Sequence, residues 1–208
     1  MRRLMADRHG LIVDFGGVLT TDVFESFRAF CEAEGLEPDA VRDRFRGDAE
    51  ARGLLEALEL GQITEAEYEP RLATVLGVAP EGLIDRLFGG MQPDEAMVEG
   101  VRAARRAGVR TGMLSNSWGD DRYDREQLAE LFDARVISGE VGLRKPDPAI
   151  YSLAAERLAV APDQCVYVDD LPGNLKPAAA LGMATVLHGG DADLTLRRAG
   201  VLLGVSLR

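Results

Sequence analysis

The chain is 208 residues long with a formal net charge of -11, and it is 46% hydrophobic and 28% charged. That length and balance suit one soluble globular domain, or a core with a small insert. The acidic excess argues against nucleic acid as a partner, because backbone-phosphate binding rests on clustered Lys and Arg; a few cations in a cleft still suffice for a small phosphorylated ligand.

No apolar run approaches the roughly 18 residues of a membrane span, so no membrane partner is expected. The opening MRRLMADRHG lacks the apolar stretch of a secretory signal, which points to a cytoplasmic protein. Two separated cysteines, Cys31 and Cys165, read as buried free thiols, and with only His9 and His188 beside them a zinc cluster is not expected.

The first apolar run, residues 11–13 of GLIVDFGGVLTTD, reads as a strand that runs directly into Asp14, with Gly16 and Gly17 behind it. Residues 20 to about 90 then read as helices. Phe24, Phe27, Phe30 and Cys31 form one stripe; Leu54, Leu55, Leu58 and Leu60 form another; Thr64 with Glu67 reads as a capping box opening a third, which Pro70 is expected to kink or shift.

From there strands and helices alternate. A helix over 94–107 carries Met97, Val98, Val101 and Ala104 on one side and ends at Gly108. Strands over 109–114, 135–137, 165–168 and 184–187 are separated by helices over 122–132, 147–158 and 175–181, the last ending at Gly182. This pattern predicts a parallel sheet with helices on its faces. The expected division is a core of residues 1–19 and 92–208 and an all-helical insert of residues 20–91, which leaves the first strand at its carboxyl end and sits above it as a lid.

Ligands of an open parallel sheet bind outside the carboxyl ends of its strands. Asp14 ends the first strand, Ser115 and Asn116 the second, and Asp169 and Asp170 the fourth, while Lys145 follows the third. Each has an ordinary explanation: a turn for Asp14, a helix cap for Ser115, Asn116 or Asn174, a solvated loop charge for Lys145. Adjacent carboxylates such as Asp169 and Asp170 repel and favour a cation between them. The ordinary explanations leave the joint placement at four strand ends unaccounted for.

Together DFGGVL, LSNS, KPDPAIY and YVDDLPGN resemble the four motifs of the haloacid dehalogenase-like (HAD) hydrolase superfamily, and the insert resembles the helical-bundle cap of one of its subfamilies. The resemblance implies an α/β fold, a Rossmann-like parallel sheet core with a small all-helical cap domain, and Mg2+ as cofactor.

By the same resemblance Asp14 is the nucleophile that forms an aspartyl-phosphate, Ser115 holds a phosphoryl oxygen, and Lys145 offsets charge between nucleophile and phosphoryl group. Asp14, Asp170 and the backbone carbonyl of Gly16 are the metal ligands, with Asp169 beside them, and Asn174 takes the place of a further family acid. Asn116, Gly17 and Trp118 are placed at the substrate, and Glu67, Tyr68 and Arg71 of the insert are candidates for substrate choice. Phosphoryl transfer asks mainly for positioning and charge neutralisation, which such a set supplies. An aspartate at its reference pKa of about 3.9 is ionised at neutral pH and needs no base to attack.

The chain departs from the family pattern at Gly16, where most family phosphatases carry an aspartate that protonates the leaving group. A positioned general acid is worth roughly 10²- to 10⁴-fold. The expected function is therefore a Mg2+-dependent phosphatase acting on a small phosphorylated metabolite without that acid. The alternatives are a 2-haloacid dehalogenase, whose halide needs no proton but whose relatives have serine and asparagine where Asp169 and Asp170 stand, and a non-catalytic binder of a phosphorylated ligand or protein. Oligomeric state is unknown at this level.

Overall fold

The computed structural model describes residues 8–119 and 123–207. Its sheet has five parallel strands, β1 (Gly10–Val13), β2 (Arg110–Ser115), β3 (Ala134–Ile137), β4 (Cys165–Asp169) and β5 (Ala184–Leu187), in the order β3-β2-β1-β4-β5. The central strand is β1: Leu11 lies opposite Thr111 on one side and Val166 on the other, and Val13 opposite Met113 and Val168. A strand paired on both edges and covered on both faces must be apolar throughout, which is why its sequence does not alternate.

The period of two instead decides which core each side chain joins. Leu11, Val13, Val166 and Val168 pack with Met97, Val98 and Val101 of α6 (Glu95–Arg106) and with Leu196 and Leu203 of α11 (Ala192–Leu203). Ile12 and Tyr167 face the other way, onto Ile150, Tyr151 and Leu158 of α9 (Pro148–Leu158) and Ala178 of α10 (Pro172–Ala180). α6 and α9 start at aspartate caps: Asp94 accepts from the Met97 N–H at 2.9 Å and Asp147 from the Ala149 N–H at 2.9 Å.

Between β1 and α6 the described elements are all helical: α1 (Val23–Ala33), α2 (Ala40–Gly47), α3 (Ala49–Glu59), α4 (Glu65–Leu76) and α5 (Leu83–Phe88). They bury their own cluster, including Phe27, Phe30, Leu54, Leu58, Tyr68 and Leu72. The capping box at α4 is formed, the Thr64 hydroxyl accepting from the Glu67 N–H at 3.3 Å and the Glu67 carboxylate accepting from the Thr64 N–H at 2.8 Å. The helix runs through Pro70 to Leu76. The segments entering and leaving this block lie side by side, bridged at Thr20 and Pro93 and by the Asp94 N–H donating to the Leu19 carbonyl at 2.9 Å.

Two helix starts differ from the expectations above. The helix expected over 122–132 is α7 (Arg125–Leu131), because Asp124 caps it by accepting from the Glu126 and Gln127 N–H groups; its expected start at Arg122 lies outside the described residues. α10 begins at Pro172 instead of Leu175, since proline's fixed φ suits the first helical position. Asn174 thus lies within the first turn and is not an N-cap. Two helices were not anticipated at all, α11 and the four-residue α8 (Ser138–Val141). Among the described residues no helix is long and apolar enough to cross a membrane.

Candidate active site

The first residue past β1 is Asp14, whose N–H donates to the Val168 carbonyl at 2.9 Å and thereby extends the strand pairing by one step. Its Oδ1 accepts from the Phe15 N–H at 2.7 Å, and its Oδ2 lies 2.7 Å from the Lys145 Nζ. That ammonium is also 3.0 Å from Asp169 Oδ2, so one buried cation bridges two carboxylates delivered by β1 and β4. Ligand oxygens of Asp14, Asp169 and Asp170 lie within 4.8 Å of one another.

Asp169 is fully buried and heavily engaged. Besides Lys145 it accepts from the Leu171 N–H at 2.8 Å, from the Asn174 amide at 3.0 and 3.1 Å, and from the Tyr167 hydroxyl. Asn174 therefore braces Asp169 from the first turn of α10. Tyr167 and Asp169 point to the same face because they stand two apart on a strand.

The loop carrying Lys145 is itself held. Asn116 Oδ1 accepts from the Lys145 N–H at 2.8 Å, and its Nδ2 donates to the Lys145 carbonyl at 3.2 Å. The same amide donates at 3.2 Å to Glu59 Oε2, at the end of α3, and that oxygen also accepts from the Arg144 Nε at 2.6 Å. The Glu59 carbonyl accepts from the Ser138 hydroxyl. A buried carboxylate of the helical insert is in this way tied to both residues that fix the position of Lys145. Ser115, the last residue of β2, lies 3.0 Å from the Tyr123 hydroxyl.

Charge in this site is unbalanced: three carboxylates surround one ammonium. Burial, reinforced by the charges of Asp169 and Asp170 and opposed by Lys145, pushes the Asp14 carboxyl from 3.8 up to about 8. Burial and the Asp169 charge push Asp170 up to about 6, again against Lys145. For Lys145, burial alone would lower the pKa, but the charges of Asp14 and Asp169 override it and hold the ammonium above its ordinary range. Burial thus raises the Asp14 carboxyl above the reference value used above, and the Lys145 ammonium acts in the opposite direction.

The all-oxygen donor set fits a small hard dication. Gly17 supplies the room. It adopts φ +72°, and a Cβ there would stand 2.6 Å from Asp170 Oδ2, so a side chain at this position would occupy the place of the carboxylate. Gly16 is different: its φ is not left-handed, and an added Cβ would meet only Val23 Cγ2, at 3.2 Å. The backbone does not demand glycine at position 16, and a side chain there requires the Val23 methyl to give way by a few tenths of an ångström.

Asp14, Gly16, Ser115, Asn116, Lys145 and Asp170 line a cavity of about 580 Å³ that extends into the helical insert, with Trp118 on its wall. Trp118 is also a packing hub, its ring 5.0 Å from that of Phe88 and 6.0 Å from that of Tyr68. The insert candidates fare differently from Trp118. Glu67 is spent on its capping box, Tyr68 is buried in the insert core, and Arg71 is exposed; none of the three lines the cavity. The wall is built instead by residues such as Phe24, Phe45, Arg42 and Glu59. Of the residues missed, Arg144 was signalled by its place beside Lys145 and Tyr167 by its spacing from Asp169, whereas Glu59 and Tyr123 had no local signal.

Residues 9–182 match the family model of the haloacid dehalogenase-like hydrolases. Given that match over most of its length, the chain belongs to this family of hydrolases. It is 29% identical over 195 residues to bifunctional epoxide hydrolase 2 of Mus musculus, which covers 84% of this chain but only 35% of the mouse protein. It is 31% identical over 125 residues to the glyceraldehyde 3-phosphate phosphatase of Methanopyrus kandleri, covering 58% of this chain and 52% of that one. Among solved structures, a HAD family enzyme from Bacteroides thetaiotaomicron in complex with magnesium and inorganic phosphate superposes with a TM-score of 0.67 at 22% identity, over 88% of this chain and 96% of that chain. At that identity the likeness speaks for the fold.

Proposed function

We propose that the chain is a Mg2+-dependent phosphatase of a small phosphorylated substrate, working through an aspartyl-phosphate on Asp14, with the helices of residues 20–91 as its cap. The observation that carries this reading is the buried Asp14–Lys145 pair beside Asp170, set at the strand ends and open to a cavity of organic-substrate size. The magnesium and phosphate bound by the Bacteroides enzyme and the activity named for the Methanopyrus protein support it.

Asp14, Asp170 and the Gly16 carbonyl are the residues that would hold the metal, which when bound supplies charge neutralisation to the phosphoryl group. An Asp14 carboxylate oxygen attacks phosphorus as the bond to the ester oxygen breaks; the electron pair leaves on that oxygen, which takes its proton from solvent. Lys145, held by Asp169 and Asn116, offsets the negative charge on Asp14 and on the transferred oxygens, and Ser115 donates to one of them. Water then attacks phosphorus, restoring Asp14 and releasing inorganic phosphate. With glycine at position 16 no side chain there protonates the leaving group, so good leaving groups are favoured.

The test is phosphate release from a panel of phosphate esters with Mg2+ and with chelator. Release that requires Mg2+ and is abolished by Asp14→Asn is expected; halide release from 2-chloropropionate without metal would replace this reading with a dehalogenase. Gly16→Asp, which requires a small shift of Val23, is expected to accelerate cleavage of alkyl esters by roughly 10²-fold, and no gain would show that the leaving group needs no such donor.

A further inference from the structure

Five aromatic rings from the helical insert and the loop after β2 form one wall of the cavity. Phe24 and Phe27 come from α1, Phe45 from α2, Phe88 from the end of α5, and Trp118 from the loop after β2. The rings contact one another, edge to face except for the tilted Phe27–Trp118 pair: Trp118 lies 5.0 Å from Phe88, 5.7 Å from Phe45 and 5.8 Å from Phe27 by ring centroids, and Phe27 lies 5.6 Å from Phe88. Such mutual packing holds the wall in place.

Three charged side chains of the insert, Glu59, Arg42 and Arg46, also line the cavity, and the Arg42 Nε is buried without a hydrogen-bond partner. Glu59 is bound by Arg144 and Asn116. Arg42 lies over the Phe24 ring, 5.2 Å from its centroid, and 3.9 Å from Asp39. A polyhydroxylated body such as a sugar would bury most of its hydroxyls here against phenyl rings, which offer no conventional hydrogen bond, with the Trp118 indole N–H as the one donor among the rings, at a cost of about 1–3 kcal/mol per unpaired group.

Resting on the phosphatase reading, we infer that the substrate is a phosphomonoester whose organic part is apolar, and that the aromatic chamber binds that part while Asp14 and Lys145 face the phosphate. The chamber and Gly16 select for different properties. The rings act on the body of the substrate and set KM; the missing acid acts on the leaving oxygen and sets kcat. A phenol, whose pKa is near 10, departs without protonation far more readily than an alkanol. An aryl monoester satisfies both conditions, and a short alkyl monoester only the first.

The experiment measures phosphate release by the full chain with Mg2+ from 1-naphthyl phosphate, hexyl phosphate, glycerol 3-phosphate and glucose 6-phosphate. KM for the naphthyl and hexyl esters is expected to be about tenfold or more below that for the two polar esters, with kcat greater for naphthyl than for hexyl. Phe45→Ser, which alters a half-buried ring of the wall, should raise KM for naphthyl phosphate by about tenfold and leave that for glycerol 3-phosphate within about twofold.

A KM for glycerol 3-phosphate or glucose 6-phosphate equal to or below that of the apolar esters overturns the inference and leaves the phosphatase reading standing. Absence of phosphate release from every ester removes the phosphatase reading. In that case a second readout decides the chamber's preference: 1-naphthylphosphonate is expected to raise the melting temperature at lower concentration than inorganic phosphate, and an equal or weaker effect overturns the inference. The same thermal readout serves if Phe45→Ser fails to fold.

Discussion

Glu59→Gln isolates the tie between the helical insert and Lys145. The substitution keeps the shape of the side chain and removes its charge. In the native protein one oxygen of Glu59 accepts from Arg144 at 2.6 Å and from Asn116 at 3.2 Å, and Asn116 in turn grips both backbone groups of Lys145. Glu59 is almost fully buried and Arg144 about a quarter exposed, so the lost charge-assisted bond is discounted for partial screening to about 1–2 kcal/mol of stability.

The kinetic effect follows from position. If Glu59 acts by orienting Asn116, a small drift of the Lys145 loop lowers kcat by roughly tenfold while KM changes little. Thermal unfolding measures the first quantity and steady-state phosphate release the second, and Asn116→Ala with the double variant closes the cycle. Residues sharing one network give losses that do not add. A Glu59→Gln protein with native kcat, or losses that add with those of Asn116→Ala, would refute the positioning role.

The carboxyls of Asp14 and Asp170 are raised to about 8 and about 6, so the metal-free folded protein retains protons that the unfolded chain releases near pH 4. Their contribution to stability should fall as pH rises from 4 toward 8, and the rise in melting temperature on adding Mg2+, which needs deprotonated ligands, should be larger at pH 8 than at pH 6; equal rises at both would count against the proposed ligands. Lys145→Met leaves Asp14 and Asp169 without their shared cation, and is expected to cost about 3–5 kcal/mol of stability and roughly 10²- to 10³-fold in turnover, an expectation that activity within tenfold of native would contradict. Gly17→Ala places a methyl 2.6 Å from Asp170 Oδ2 at a left-handed φ; a loss of about 1–2 kcal/mol and about tenfold weaker Mg2+ binding by calorimetry are expected, and unchanged affinity would place Asp170 outside the metal site.

The strands and most of the helices were legible because their signals are local. The run Leu11–Ile12–Val13 is apolar on both faces because β1 is central, and Asp94 and Asp147 announce α6 and α9 by the same short-range chemistry that caps them. α11 is capped by Asp191 through the same device, and α10 starts three residues before the position that Asn174, as an apparent cap, suggests, because Pro172 is the better first residue.

What the sequence by itself determined is the delivery of Asp14, Ser115, Lys145, Asp169 and Asp170 to one end of a parallel sheet, since strand period and strand order along the chain suffice to put them there. What only the tertiary structure decided is how those groups are held and how they are charged. The bonds from Asn116 to Lys145, from Glu59 to Asn116 and from Glu59 to Arg144 join residues 29, 57 and 85 positions apart, and no periodicity encodes such distances. Likewise the elevated carboxyl of Asp14 and the ring of aromatic side chains around Trp118 arise from burial among groups that meet only once the helical insert is packed against the strand ends.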